Sequence, residues 1–253
     1  MEIIILGSGT FIPELNRNCS SYLIEIGKEK IIFDFGRGTI DSLLKLKINL
    51  YDLKTIFISH MHTDHSSELS SFISFIIDNP DKNKLKGTYF IYGAKGIKRR
   101  INKLLEAFDM GNHKNLNRIK IVEISANKKI ENKYWVVNCF NAKHNPKGEC
   151  LSYRLTSDGK TIFYSGDSAY SKNLILGCKN ADLAILEATL PKRWNSKWHM
   201  DGQEAGKIAQ RGSVKNLLLS HIANTYLQEV IQDLKKSYKG EFAIAKDLMR
   251  IKI

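Results

Sequence analysis

Residues 59–68, SHMHTDHSSE, hold three histidines and an aspartate within six positions, although the whole chain has only seven histidines. His60 and His62 alternate at the period of an extended chain, so both rings can face one side. Asp64 and His65 follow at the predicted start of a helix. Imidazole and carboxylate groups are ligands that suit zinc and similar divalent ions. The cluster therefore predicts a metal site.

Four further polar residues each follow a predicted strand: His144, Asp167, Glu187 and His221. Folds commonly place functional side chains on loops at one edge of a rigid sheet, so these strand ends are candidates for the same site. Two neighbouring ions that share one bridging ligand need about seven ligands, since zinc usually takes about four. The sequence offers seven, namely His60, His62, Asp64, His65, His144, Asp167 and His221.

The composition is that of an ordinary globular protein, with 43% hydrophobic and 26% charged residues in a chain of 253. No apolar run approaches the length of a membrane span, and the first residues lack the basic start and cleavage site of a secretory signal. The four cysteines are scattered, which favours a cytoplasmic protein without disulfides. The net charge of +13 suits an anionic substrate, although solvated lysines scattered along the chain are the simpler explanation for most of it.

Short apolar runs alternate with amphipathic stretches along the whole chain. Strands are predicted at EIIIL, SYLIEI, KIIFDF and TIFIS, and again in the second half around an Asp-Gly hairpin turn. Helices are predicted after the histidine cluster, capped by Ser66 or Ser67, and at the basic segment GIKRRINKLLEAF. Residues 242–253 are predicted to form a final hairpin. Two packed sheets covered by helices on both sides would bury such strands, and residues 1–253 are expected to form one domain.

On these residues the chain resembles the metallo-β-lactamase superfamily, whose signature HxHxDH is matched at residues 60–65. The resemblance covers essentially the whole chain, in motif order. It implies an α/β fold, the αββα four-layer sandwich, with two divalent metal ions at one edge of the paired sheets. The ligands it implies are His60, His62 and His144 for one ion, Asp64, His65 and His221 for the other, and Asp167 as the bridge. Zn²⁺ is the expected metal, with Mn²⁺ and Fe²⁺ as alternatives, because ligand type constrains the metal only loosely.

Further motifs resemble the ribonuclease Z branch of that superfamily. LGSGTFIPELNRNCSSYLIE is similar to its opening loop, and IIFDFGRGT to the motif that places Asp34 behind the metal site. LEATL and HMDGQEAGKIA resemble the two segments that pair a glutamate with a histidine beside the leaving group, here Glu187 and His199. The resemblance implies that Asp64 orients the attacking hydroxide and that His199, held by Glu187, protonates the departing alkoxide.

Three departures from that branch bear on the substrate. Leu186 and Thr225 stand where the branch commonly has histidine and arginine, and the second change concerns phosphate contacts. Only 22 residues separate His144 from Asp167, and a predicted hairpin fills them. The long arm with which the typical bacterial tRNA-processing enzyme grips tRNA therefore has no room here.

The expected function is that of a metal-dependent hydrolase, a phosphodiesterase acting on small, cyclic or single-stranded phosphate esters. Two alternatives stay open. One is tRNA 3′-end processing with the basic helix at residues 95–103 as a shorter docking element, and the other is thioester or lactone hydrolysis by the same metals. A nucleic-acid-binding protein with a relic site fits the intact ligand set poorly. The expected partner is a phosphodiester substrate, with RNA as one candidate; a homodimer is left open, and no membrane is expected.

Overall fold

Two seven-stranded sheets pack face to face in the computed structural model, which describes residues 1–81, 83–111, 113–145 and 148–253. In spatial order the first sheet consists of β14 (Arg250–Lys252), β1 (Glu2–Gly7), β2 (Ser21–Ile26), β3 (Glu29–Phe33), β4 (Thr55–Ile58), β5 (Tyr89–Ala94) and β6 (Ile119–Ile124). The second consists of β13 (Phe242–Ile244), β12 (Leu217–Ser220), β11 (Leu183–Glu187), β10 (Lys160–Tyr164), β9 (Cys150–Ser157), β8 (Val136–Ala142) and β7 (Lys129–Glu131). Strands β3 to β6 run parallel, as do β10 to β13, and the other neighbours are antiparallel.

Helices cover the outer face of each sheet. The first sheet carries α1 (Thr39–Lys45), α3 (Leu69–Ile77) and α4 (Ile97–Ala107), and the short α2 (Thr63–Ser66) precedes α3. The second sheet carries α5 (Lys172–Cys178), α6 (Gly202–Gly212) and α7 (Leu227–Lys235). Short 3₁₀ turns lie at Leu50–Asp52, Lys114–Arg118, Lys192–Trp194 and Asn224–Tyr226. Within the described ranges, no helix combines the length and hydrophobicity that crossing a bilayer requires.

Both faces of the central strands are buried. Ile3 and Ile5 of β1 belong to the core between the sheets, whereas Ile4 belongs to the core beneath the helices. Phe33 of the first sheet stacks on Tyr153 of the second, with ring centroids 5.4 Å apart. Burial on both faces accounts for the nearly continuous apolar runs in the sequence. The predicted αββα four-layer sandwich is confirmed.

The predicted final hairpin is wrong. Strand β13 pairs with β12 in the second sheet, and β14 pairs with β1 in the first, so residues 245–249 cross between the sheets. The N–H of Ala245 donates to the carbonyl of Leu219, and the N–H of Leu248 donates to the carbonyl of Ile5. Each strand gains a full sheet as its neighbour, which stabilises it more than pairing as an isolated hairpin would.

The predicted cap at Ser66 or Ser67 is also wrong, because the chain forms two helices where one was expected. Glu68 occupies the N-cap position of α3, without a side-chain cap bond. Ser66 lies inside α2 and donates its hydroxyl proton to the carbonyl of His62.

Two other predictions hold. Asp158 and Gly159 form the turn between β9 and β10 with φ of 48° and 72°, the left-handed pair that a two-residue hairpin favours. All four cysteines are free and buried. The elements α1, α5 and β7 were not predicted, since their segments are short and weakly periodic.

Candidate metal centre

The predicted ligands meet at the edge where strands of both sheets end. His60 follows β4, His144 follows β8, Asp167 follows β10 and His221 follows β12. These four side chains are buried, whereas His62 is exposed. In sheets with parallel strands, ligands commonly bind beyond the carboxyl ends of those strands. Both sheets therefore contribute to one site.

The ligand atoms form two groups, and within each group they lie within 4.8 Å of one another. The first group is His60, His62 and His144, and the second is Asp64, His65, Asp167 and His221. Nδ1 of His62 lies 3.0 Å from Nε2 of His144, and Nε2 of His65 lies 3.2 Å from Nε2 of His221. Bonds of about 2.0–2.1 Å place neighbouring ligands of a tetrahedral zinc ion about 3.3 Å apart. The observed spacings are close to that value.

Asp167 lies between the two groups. Its Oδ1 is 3.2 Å from Nε2 of His65 and 3.5 Å from Nε2 of His221. Its Oδ2 is 3.8 Å from Nε2 of His60 and 3.9 Å from Nε2 of His144. One carboxylate oxygen faces each group, which is the arrangement a bridging carboxylate needs.

Hydrogen bonds on the far side of the rings determine which ring nitrogen carries the proton. Nδ1 of His144 lies 3.0 Å from the backbone carbonyl of Trp198. A carbonyl can only accept, so Nδ1 is the donor and Nε2 presents a lone pair to the site. Nδ1 of His65 lies 2.7 Å from the carboxylate of Asp34, with the same consequence.

Two hydroxyl groups fix His60 and His221 in the same way. Oγ of Ser59 donates its proton to the carboxylate of Asp34, so it accepts from Nδ1 of His60 at 3.0 Å. Oγ1 of Thr189 donates to the carboxylate of Glu187 and accepts from Nδ1 of His221 at 2.8 Å. Four inward-facing Nε2 atoms are therefore unprotonated in the neutral rings.

When these rings are neutral, their lone pairs and the carboxylate oxygens converge with no proton between them. Nε2 of His60 and Oδ1 of Asp167 are buried and have no hydrogen-bond partner among the described residues. With His65 neutral, the 3.2 Å contact between Oδ1 of Asp167 and Nε2 of His65 joins two acceptors, whereas a protonated His65 would donate to Asp167. An unsatisfied buried acceptor costs about 1–3 kcal/mol, which a cation at each group would remove. The donor set fits two divalent ions.

The pKa values reflect the same charges. Burial lowers the pKa of His65, but Asp167 and Asp34 outweigh it and hold that pKa well above its ordinary value. Burial would raise the pKa of Asp167, yet His221 and His65 hold it well below the ordinary range. Burial would raise the pKa of Asp64, but the neighbouring His221 and His65 outweigh it and lower that pKa to about 2. Asp167 and Asp64 are therefore both charged at neutral pH. Because negative charge beside the imidazoles favours their protonated form, a metal ion must compete with protons for the ring nitrogens.

Asp34 anchors the centre from behind. Its fully buried carboxylate accepts from the N–H and hydroxyl of Ser59, both at 2.7 Å, from the hydroxyl of Tyr164 at 2.5 Å, and from Nδ1 of His65. Its φ of 58° lies in the left-handed region. Such partners behind metal-ligating histidines orient the rings and raise their basicity.

Glu187 and His199 come together as predicted. Nδ1 of His199 lies 3.1 Å and 3.3 Å from the two carboxylate oxygens of Glu187. Glu187 is buried and also accepts from the N–H of Ser168 at 2.7 Å and from Thr189. Burial opposes protonation of His199, but Glu187 outweighs it and raises the pKa of His199 to about 9. Nδ1 of His199 also lies 3.9 Å from Oδ2 of Asp167, but this nitrogen is hydrogen-bonded to Glu187.

A cavity of about 350 Å³ opens on the centre. It is lined by Phe11, Met61, His62, Thr63, Asp64, Asp167, His199 and His221.

Sequence reasoning missed Ser59, Tyr164, Thr189 and Phe11. Thr189 stands two residues after Glu187 in the quoted segment LEATL, a spacing that could have marked it, whereas no pattern marks Phe11.

A family model described as the beta-lactamase superfamily domain matches residues 17–222. The chain belongs to the beta-lactamase superfamily. The match includes all seven predicted ligands, from His60 to His221. Membership fits a metal-dependent hydrolase, and the paired sheets with flanking helices are the metallo-β-lactamase sandwich.

Similar proteins carry related names. The ribonuclease Z of Methanosarcina mazei is 24% identical over 310 residues, which cover 100% of this chain and 98% of the relative. The metallo-beta-lactamase fold protein YhfI from Bacillus subtilis superposes with a TM-score of 0.84 at 23% identity over 99% of both chains. Human tRNase Z, short form, superposes with a TM-score of 0.79 at 22% identity over 100% of this chain and 99% of its own. These likenesses fit a metal-dependent phosphodiesterase or ribonuclease Z.

This superfamily member is shorter than its archaeal relative. The alignment runs over 310 residues, whereas this chain has 253, so the relative carries segments that are missing here. Between His144 and Asp167 the described residues form the simple hairpin of β9 and β10. The hairpin predicted for this interval is confirmed.

Proposed function

We propose that this protein is a binuclear metal-dependent phosphodiesterase acting on small, cyclic or single-stranded phosphate esters. The observation that carries the proposal is the position of Asp167, with one carboxylate oxygen toward each of two ligand groups. The inward-facing lone pairs of the histidines support it, because they make each group a cation site. We also propose that residues 1–253 act as one domain, since ligands come from both sheets.

The ligands we assign are His60, His62 and His144 for one ion, Asp64, His65 and His221 for the other, and Asp167 for both. Zn²⁺ is the proposed metal because imidazole and carboxylate at these spacings match its preferred ligands and geometry. When bound, two such ions supply Lewis acidity at the phosphoryl oxygens and lower the pKa of water at the site.

The residues around the cavity have separate roles in the proposed reaction. Asp64 lines the cavity and turns Oδ2 toward His221 at 3.1 Å, so we assign Oδ1 to orient the attacking water. His199 lines the same cavity and is held through Nδ1 by Glu187. We assign Nε2 of His199 to donate a proton to the departing oxygen.

The placed acid favours phosphate esters over thioesters. A thiolate leaves readily because the pKa of a thiol is about 8.5, so it needs no proton donor. An alkoxide is far more basic, and general acid catalysis of its departure is worth about 10²–10⁴-fold. A buried glutamate that holds a histidine in the cavity therefore favours substrates with an alkoxide leaving group over thioesters.

Processing of tRNA 3′ ends is the second candidate, and the ribonuclease Z relatives favour it. Without an arm between His144 and Asp167, remote contacts with the tRNA body cannot help to orient the scissile bond. The exposed first turn of α4, with Lys98, Arg99 and Arg100, is the surface that could replace them. We therefore expect precursor tRNA to be cut more slowly, or with poorer end selection, than single-stranded substrates.

Metal content is the first test. The purified protein should hold close to two divalent ions per chain by elemental analysis, and chelation should abolish hydrolysis of bis-p-nitrophenyl phosphate. His62→Ala should lose metal and activity but stay folded, because the sandwich has its own core. His113→Ala is the matched control, since this histidine lies apart from the centre, 3.4 Å from Asp78. Active protein without stoichiometric metal would overturn the proposal.

A substrate panel is the second test. It compares bis-p-nitrophenyl phosphate, a thioester, single-stranded RNA and precursor tRNA. His199→Ala should slow esters with alkoxide leaving groups far more than p-nitrophenyl esters, because p-nitrophenolate departs without protonation. Glu187→Gln should show the same selectivity more weakly. Equal losses on both kinds of ester would assign the pair to phosphate binding instead.

The cytoplasmic location and the homodimer stay predictions. RNA as a substrate is likewise a proposal, and the panel above tests whether the protein cleaves it.

A further inference from the structure

We infer that Glu187 and His199 form an inhibitory site for a third divalent ion, Zn²⁺, which binds once free metal exceeds the amount that fills the catalytic pair. The inference concerns regulation of the active site and rests on the proposed phosphodiesterase function. Ligand atoms of Glu187, His199 and His221 lie within 4.8 Å of one another. Glu187 and His199 are not among the ligands assigned to the two catalytic ions, so this group offers two donors that the catalytic ions do not use.

Both donors are held in place by the protein itself. Oε1 of Glu187 accepts from the N–H of Ser168 at 2.7 Å, and Oε2 accepts from the N–H and the hydroxyl of Thr189. A carboxylate has about four acceptor positions, so one remains, and it faces Nδ1 of His199 at 3.1 Å. The backbone N–H of His199 donates to the hydroxyl oxygen of Ser196, also at 3.1 Å. A cation therefore meets donors that are already ordered, which reduces the entropy lost on binding.

The spacing of these donors suits zinc, but the site is poorer in protein ligands than the catalytic groups. Nδ1 of His199 lies 3.1 Å and 3.3 Å from the two carboxylate oxygens of Glu187, close to the about 3.3 Å between neighbouring ligands of a tetrahedral zinc ion. The His199 side chain is 20% exposed and lines the cavity, so an ion can enter after the catalytic pair has bound, with solvent as its remaining ligand. One histidine and one carboxylate bind more weakly than the larger catalytic groups, so the third ion requires excess metal.

An ion at this position removes the proton donor and leaves the catalytic pair intact. In the proposed reaction both ring nitrogens of His199 carry protons, with Nδ1–H held by Glu187 and Nε2–H given to the departing oxygen. An ion at Nδ1 takes the place of the proton there, which passes to solvent. The remaining N–H then belongs to a ring that is no longer an imidazolium, and such an N–H is a far weaker acid. Inhibition is therefore confined to substrates whose leaving group must be protonated.

Equilibrium dialysis of the metal-loaded protein against rising Zn²⁺ concentrations measures the third ion directly. The wild type should approach three ions per chain, whereas His199→Ala and Glu187→Gln should stop at two, and the two ions they keep show that these variants are folded. His113→Ala is the matched control, because His113 forms another histidine–carboxylate pair, with Asp78 at 3.4 Å, away from the centre. This control should still bind three. Absence of a third ion in the wild type, or its retention in both active-site variants, would overturn the inference.

Kinetics over the same zinc titration test the inhibition. Cleavage of single-stranded RNA, which has an alkoxide leaving group, should fall by about 10²–10⁴-fold, the contribution of general acid catalysis, while hydrolysis of bis-p-nitrophenyl phosphate should hardly change. Excess Mg²⁺ should inhibit neither reaction, because Mg²⁺ prefers oxygen ligands and keeps its waters. Equal inhibition of both substrates by zinc would place the ion on the catalytic pair and contradict the inference. If the third ion binds as expected but no phosphodiester is hydrolysed, the metal site stands, and its inhibitory role fails together with the proposed function.

Discussion

Replacing Asp34 by asparagine should weaken metal binding, chiefly at the group of Asp64, His65 and His221, because Asp34 contacts His65 directly and His60 only through Ser59. Asparagine tolerates the left-handed backbone at this position, where φ is 58°. It has one acceptor oxygen where the aspartate has two. Oδ2 of Asp34 accepts from three donors, including Nδ1 of His65. An amide nitrogen in that place would donate to Nδ1 and drive the proton to Nε2, the atom that faces the metal.

The expected size of the effect follows from those contacts. Loss of a partner behind a metal-ligating histidine typically costs 10- to 100-fold in metal affinity, or about 1.4–2.8 kcal/mol at about 1.4 kcal/mol per tenfold. Without metal, the variant also breaks a buried ion pair between His65 and Asp34, which costs up to about 3–5 kcal/mol. Folded domains are stable by about 5–15 kcal/mol, so the variant should fold at moderate temperature.

Competition with a chromophoric chelator gives the affinity of each site, and thermal unfolding with and without metal gives the stability. Asp182→Asn is the matched control: this carboxylate is nearly buried and accepts from Thr161 and Lys215 but lies away from the centre. The control should lower stability and leave metal affinity unchanged. If Asp34→Asn binds both ions as tightly as the wild type, the orienting role assigned to Asp34 is wrong.

Three further predictions concern the same centre and the surface beside it. Asp167→Asn should lose one ion per chain by elemental analysis and nearly all activity, since a neutral amide bridges two cations poorly; full activity would make Asp167 a turn residue. Thr189→Val should lower metal affinity about 10- to 100-fold, and Thr189→Ser should restore it; equal effects would assign Thr189 to packing. Changing Lys98, Arg99 and Arg100 to glutamate should make RNA cleavage less sensitive to salt. The slope of log kcat/KM against log salt concentration should fall by up to about 0.7 per lost phosphate contact, and hydrolysis of bis-p-nitrophenyl phosphate should not change. Unaltered RNA cleavage would make those charges a solvated face.

The candidate ligands and much of the local structure of this protein could be predicted from the sequence. The histidine cluster, the polar residues after strands and the Asp-Gly turn are local patterns, because strand period and turn conformation depend on neighbouring residues. The sandwich followed from apolar runs long enough to be buried on both faces. The cap at Ser66 or Ser67 failed because Glu68 takes the N-cap position of α3. The carboxylate of Glu68 accepts from the N–H groups of Gly38 and Ile40 at the start of α1, a contact that no local pattern specifies.

Only the tertiary structure decided how these residues act together. His221 reaches Asp64 across 157 positions of the chain, and Tyr164 reaches Asp34 across 130. Such contacts exist only once both sheets have packed, and no periodicity in the sequence specifies them. The same holds for the last strands, since residues 245–249 cross between sheets whose edges form elsewhere in the chain. The sequence therefore determined which ligands were available, and the packing of the two sheets decided which atoms face one another, because ring orientation depends on hydrogen-bond partners distant in the chain.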